Sequence, residues 1–151
     1  MDSQGQSGGL LCIRNPLFCD FVSFSSFAGI ILEGRIKGID ERVVLLNFYG
    51  TYKDREPFWR KMWDCDLLQE WLLIIGGDLN FTLSSSEVWG SKRTDPMSPV
   101  LSELFQDVGL IDICLSPVEP TWRNGRAGDQ GVAKRLDHFL LSEDLLGSLG
   151  S

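Results

Sequence analysis

The spacing of apolar and polar positions changes several times along the chain, and each change marks an element. Residues 27–37 alternate apolar with polar up to Gly38, and residues 42–49 (RVVLLNFY) form an apolar run straight after the Gly38-Ile39-Asp40 turn. Two such segments around a tight turn predict an antiparallel hairpin. From Glu56 the period lengthens. Phe58, Trp59, Met62, Trp63, Leu67 and Trp71 recur near three- and four-residue steps, which predicts a helix over 56–71 with Pro57 in its first turn. Residues 72–75 are apolar without a break and run into Gly76-Gly77, the pattern of a strand buried on both faces. A polar loop over 84–96, a short helix over 99–108 and an apolar run over 110–114 follow. Thr121-Trp122 opens a strand that turns through a loop over 124–131 into a strand over 135–141. A short apolar run over 9–13, behind a Ser-Gly-Gly turn, reads as one more strand-like segment. Irregular alternation without repeats predicts an α/β sandwich of mixed, largely antiparallel sheets, not a βαβ series.

Composition then removes whole classes of function. A chain of 151 residues fits one domain. With 43% hydrophobic and 23% charged residues it has the make-up of a soluble globular protein, and its apolar runs are too short to span a bilayer, so no membrane partner is expected. Lys and Arg number 14 against 21 Asp and Glu, a net charge of -7, which excludes a broadly basic surface for wrapping nucleic acid. Contact with a polyanion has to be local. The single histidine, His138, rules out a multi-histidine zinc site. Cys12, Cys19, Cys65 and Cys114 have neither C-x-x-C nor zinc-ribbon spacing and read as thiols of a reducing compartment. The first nine residues contain no apolar signal core, so a nuclear or cytoplasmic protein is expected, not a secreted one.

Three motifs carry chemistry. In Gly76-Gly77-Asp78-Leu79-Asn80 the glycines permit a sharp turn at a strand end, and Asp78 and Asn80 can project together to hold an attacking water and a phosphate oxygen. The same residues also suit a tight turn whose side chains bond the local backbone. In residues 134–142 (KRLDHFLLS), alternation puts Arg135, Asp137 and Phe139 on one face and Leu136, His138 and Leu140 on the other. Asp137 can orient an imidazole supplied by another segment, whereas His138 faces the opposite side and reads as a structural histidine. In residues 47–52 (NFYGTY), Tyr49 can donate to a phosphate oxygen or cap the core with its hydroxyl in solvent. Lys92, Arg93, Arg123, Arg126, Lys134 and Arg135 stand in or beside loops near these motifs, where they can bind a phosphate or remain solvated. A reading from another class takes Trp59, Trp63 and Trp89 as exposed aromatics of a protein-interaction surface.

In order and spacing, Asn47-x-Tyr49, Gly77-Asp78-Leu79-Asn80, residues 105–112 (FQDVGLID), Pro120-Thr121-Trp122 and residues 135–139 (RLDHF) with Leu141-Ser142 resemble the endonuclease/exonuclease/phosphatase superfamily. Its members include apurinic/apyrimidinic endonucleases and the endonuclease domains of LINE-type retrotransposons, and the pattern is most similar to the plant LINE branch. The resemblance covers residues 7–146, leaving 1–6 and 147–151 as tails, and implies a deoxyribonuclease-I-like α/β sandwich flanked by helices. It also implies magnesium- or manganese-dependent hydrolysis of phosphodiesters, nicking DNA. Tyr49 would contact the scissile phosphate, and Asp78, also the metal residue, would position or deprotonate water beside Asn80. Asp137 would orient a catalytic histidine, while Arg93, Trp122, Arg123 and Arg135 would hold substrate. The family's metal-binding Glu should precede Ser7, where six residues lie, and its Ser-Asp-His motif should follow a few tens of residues after Ser142. The resemblance therefore implies an incomplete domain. Its expected state is impaired in cleavage, or a remnant that binds nucleic acid weakly or serves as an interaction module, with strand edges open to self-association.

Overall fold

The computed structural model describes residues 9–65, 68, 72–91 and 93–149. The tail expected over 1–6, Lys92, and Leu67 and Trp71 of the first helix lie outside them. Along the chain the strands are β1 (Cys19–Ser25), β2 (Gly29–Ile36), β3 (Val43–Phe48), β4 (Leu73–Asp78), β5 (Val88–Trp89), β6 (Leu110–Asp112), β7 (Trp122–Arg123), β8 (Ala133–Lys134) and β9 (Asp137–Ser142). The helices are α1 (Arg55–Trp63), α2 (Ser98–Asp107) and α3 (Glu143–Leu149). Six strands form one sheet in the order β1-β2-β3-β4-β9-β6, and β5-β8-β7 form a second, smaller one. The pair β3–β4 is parallel and bridged by the crossover through α1, while the other pairs of the large sheet are antiparallel.

The hairpin forms as its periodicity predicts, with β2 and β3 antiparallel from Gly29 opposite Phe48 to Gly34 opposite Val43. One face of the large sheet is covered by α1 and α2. There Leu46, Phe48, Ile75 and Leu140 meet Trp59, Met62, Leu101 and Phe105 in the main core. A smaller cluster lies around Ile39, Val43, Leu72 and Leu145, bringing α3 against the sheet. Arg55 grips Asp95 through two hydrogen bonds of 3.0 and 2.7 Å, and Asp95 also accepts from the Thr82 and Met97 N–H groups. One carboxylate thus ties the start of α1 to the approach to α2.

Several expectations are corrected. Residues 9–13 join no sheet, and Leu11 and Ile13 are exposed. The segment is instead held by the Asn47 side-chain amide, which reaches the Leu11 carbonyl and the Cys12 sulfur. The first helix stops at Trp63, where Asp64 puts acid at the negative end of its dipole. Trp59 is no surface aromatic: it is 2% exposed in an aromatic chain with Phe58, Phe81 and Phe105. Trp63 and Trp89 are half-buried. Thr121-Trp122 leads into the small sheet and does not adjoin the β3–β4–β9 strands. Helix α3 continues past residue 146 to Leu149, into the stretch 147–151 named as a tail. Among the described residues, no helix is long and apolar enough to cross a membrane.

Candidate active site at the sheet edge

Because β3 and β4 are parallel and β9 is antiparallel to β4, the C-terminal ends of the first two and the start of the third share one edge of the sheet. Tyr49 follows β3, Asp78 ends β4, and Asp137 begins β9 directly opposite Asp78 in the ladder. Period-two alternation directs these two carboxylates to the same face, with the Phe139 ring over Gly76 beside them. The edge is tied together by backbone. The Gly50 N–H donates to the Asp78 carbonyl at 2.7 Å, and the Asn80 side-chain amide donates to the Gly50 carbonyl at 2.7 Å. A Cβ at Gly50 would lie 2.1 Å from the Leu79 carbonyl oxygen, so only glycine lets the two chain ends approach this closely. Asn80 itself is left-handed (φ 54°), and its N–H donates to the Asp78 carboxylate at 3.2 Å.

The electrostatics of the edge are unbalanced. Burial pushes the Asp78 carboxyl above the usual carboxylate range; the Asn80 N–H pulls it back, and the facing Asp137 charge pushes it up again. Asp137 is exposed, and its N–H donates to the Thr121 hydroxyl at 3.1 Å, as does the Leu136 N–H at 3.0 Å. Thr121 thereby fixes the start of β9 and sets Trp122, 42% exposed, beside the edge. Arg123 is exposed on β7, and Tyr49 is 44% exposed with its N–H on the Ala28 carbonyl. Arg93 is exposed in the loop ahead of α2, where its N–H donates to the Ser91 hydroxyl at 3.2 Å, and it is not brought to the edge.

Arg135 is not on this face. The strand expected over 135–141 breaks at 135–136, where the Arg135 N–H turns to the Glu87 carbonyl and the Leu136 carbonyl accepts from the Leu79 N–H. The break reverses the alternation, so Arg135 is buried beneath the sheet together with His138. Its guanidinium donates to Glu87 and Asp112, each at 2.6 Å, and also reaches the Ile113 carbonyl at 3.2 Å. A group so committed is removed from the substrate-binding set. His138, fully buried, packs on Phe81 with ring centroids 4.3 Å apart. Its Nδ1 lies 3.3 Å from both Asp112 oxygens, and its Nε2 lies 3.1 Å from the Phe81 carbonyl. Both contacts can be hydrogen bonds at once only with a proton on each nitrogen. Burial alone would raise the Asp112 carboxyl, but the hydrogen bonds from His138 and Arg135 outweigh it and hold it at about 2.

Two donor sets could hold a metal. Glu87, Asp112 and His138 bring one ligand atom each within 4.8 Å of one another. That set is already filled, since Arg135 supplies the cation and Glu87 also accepts from the Leu83 N–H at 2.6 Å. The opposed Asp78 and Asp137 carboxylates fit a hard divalent ion better: they are oxygen donors on neighbouring positions of the ladder, and the pull of His138 from the other face is outweighed by burial and by Asp137, so that the Asp78 carboxyl stays raised. Sequence reasoning missed Gly50, Thr121, Glu87 and Asp112. Gly50, Asp112 and Thr121 stand in motifs and Glu87 in none, but the bonds that give Gly50, Glu87 and Asp112 their roles come from distant segments and leave no trace in spacing.

No protein-family model and no curated protein matches the chain. Solved structures do. The endonuclease domain of TRAS1, a telomere-specific non-LTR retrotransposon, superimposes with a TM-score of 0.65 at 23% identity, covering 85% of this chain and 58% of that one. The 3'-5' exonuclease NExo from Neisseria meningitidis gives 0.51 at 16%, covering 74% of this chain and 52% of its own. The chain therefore spans little more than half the length of each.

Proposed function

We propose that this chain, with the deoxyribonuclease-I-like α/β fold of these two nucleases, carries the phosphate-handling edge of a metal-dependent phosphodiester hydrolase acting on DNA. The observation that carries this reading is the direct opposition of Asp78 and Asp137 at one end of the large sheet, with Asn80 and Tyr49 tied to them through Gly50. Asp78, with its proton affinity raised, is suited to take a proton from an attacking water at its carboxylate oxygen. Asn80 fixes that water's surroundings, and the Tyr49 hydroxyl donates to a phosphate oxygen. A divalent ion held by Asp78, with Asp137 opposite, would neutralise charge on the phosphate. Trp122, next to the Thr121 that anchors β9, would meet a base, and Arg123, exposed on β7 of the small sheet, would meet a backbone phosphate farther along the substrate.

The 151-residue chain is impaired by itself, because its single histidine is turned to the opposite face and bound to Asp112 and the Phe81 carbonyl. No imidazole of this chain reaches the edge to act as acid or base.

Nicking of supercoiled plasmid and of abasic duplex in millimolar magnesium, together with manganese binding by electron paramagnetic resonance, tests both parts beside an Asp78→Ala control. The expected outcome is manganese binding that the control loses, without detectable nicking. Asp78-dependent nicking would overturn the impairment. Manganese binding indifferent to Asp78 would overturn the site.

A further inference from the structure

The groove between α1 and α2 lies on the helical face of the large sheet and takes no part in the proposed chemistry. It encloses about 370 Å³, with Trp63, Met97, Val100 and Leu104 lining it. Val100 is 50% exposed, so this apolar floor is open to solvent. Its rim is acidic: Glu56 and Asp64 stand near the two ends of α1, and Glu103 and Asp107 lie along α2. Arg60, the basic residue of the rim, is already engaged by Glu56 at 2.7 Å.

This placement gains nothing inside the chain. Asp107 is the last residue of α2, where the helix dipole already leaves partial negative charge, and the last turn contains no basic residue to offset it. Glu56 is offset by Arg60, but Asp64 and Glu103 add two further carboxylates around the apolar floor, which repel Asp107 and one another and would repel a nucleic acid. They complement a segment that brings apolar anchors flanked by cations, the pairing that steers and orients helix-in-groove complexes.

We infer that the α1–α2 groove docks a short, basic amphipathic segment of a partner protein. The segment seats two or three apolar side chains against Val100 and Leu104 and sets Lys or Arg against Glu103, Asp107 and Asp64. The nine residues of α1 span about 13 Å, which limits the contact to about two turns of a helical ligand. Because the groove and the Asp78 edge are separate, docking leaves the edge open to its own substrate.

The probe is a synthetic lysine/leucine amphipathic peptide titrated into the ¹⁵N-labelled full chain, beside a scrambled peptide of the same composition. Expected are shift changes confined to α1 and α2 and affinity for the scrambled peptide weaker by about tenfold or more. Glu103→Lys with Asp107→Lys should weaken binding by a similar factor, while the charge-matched Asp40→Lys with Glu41→Lys should leave it within about twofold. Val100→Asp, which adds one charge to the floor, gives a second variant, and circular dichroism confirms that each is folded. Equal binding of the scrambled peptide, equal loss in the charge-matched control, shifts centred on Phe139 or β1, or no binding would each overturn the inference. So would groove signals that move with protein concentration alone, since the occupant would then be a second copy.

Discussion

Asp137 and His138 are adjacent in sequence, yet they belong to two charged regions that behave in opposite ways. On one face of β9, Asp78 and Asp137 oppose each other with no ion pair to either among the described residues, and burial drives the Asp78 carboxyl upward against the weaker pull of His138. On the other face, Asp112 and Glu87 share the Arg135 guanidinium, and His138 and Arg135 hold Asp112 at about 2. The network is the more deeply buried, with Glu87, Arg135 and His138 closed to solvent while Asp137 is exposed, yet burial does not set the two carboxyls apart, since it pushes both Asp78 and Asp112 upward. The supply of partners does: charge is saturated where the two sheets join and left unsatisfied at the edge, which is where chemistry needs it.

The largest expected effect comes from emptying the saturated region. Arg135→Met leaves two carboxylates beneath the sheet without their cation and should cost about 3–5 kcal/mol in urea unfolding. A loss under about 1 kcal/mol would mean that the network does not hold the sheets together. His138→Ala removes the ring packed on Phe81 and one donor to Asp112, and should cost about 2–3 kcal/mol while leaving manganese binding at the edge intact. Loss of that binding with unchanged unfolding would put His138 in the other region.

Acid should distinguish the regions with a somewhat smaller effect. The Asp112 carboxyl sits at about 2 when folded against an ordinary value of 3.8, so its stabilisation is present above about pH 4 and is lost as pH falls through about 2. Stability should drop by about 2 kcal/mol across that window, and Asp112→Asn should abolish this part of the slope. An unchanged slope in the variant would locate the acid sensitivity elsewhere. At the edge the sign reverses and the effect is smallest. Asp78→Asn removes one of two opposed charges and keeps an acceptor for the Asn80 N–H, so thermal stability should hold or rise by up to about 1 kcal/mol. A clear loss would make Asp78 structural.

The edge was more legible in the sequence than the network. Alternation before Gly38 and the apolar run after it announce β2 and β3, and the strand run ending in Gly76-Gly77 places Asp78 and Asn80 at a sheet end, because strand geometry is local. Strand β1 (CDFVSFS) escaped notice because an edge strand needs no buried face, and Val22 and Phe24 are 63% and 49% exposed. Arg135 was assigned to the wrong face because alternation holds only within a continuous ladder, and the bonds that interrupt it come from Glu87 and Leu79, far away in sequence. Glu87 carried no local signal, and Asp112 closes the motif of residues 105–112 without any sign there of its partners. Their partners are brought together by the fold alone.

The contrast between the two regions is tested most directly by where a divalent ion lands. Paramagnetic broadening by substoichiometric manganese on the ¹⁵N-labelled chain reads that position residue by residue. The filled network and the unfilled edge predict that signals of residues 77–80 and of Asp137 and Tyr49 broaden first, and that Asp78→Ala abolishes the effect. Broadening centred on Glu87 and Asp112, surviving in Asp78→Ala, would contradict the account, since the ion would then have displaced Arg135 from the network that the structure presents as complete.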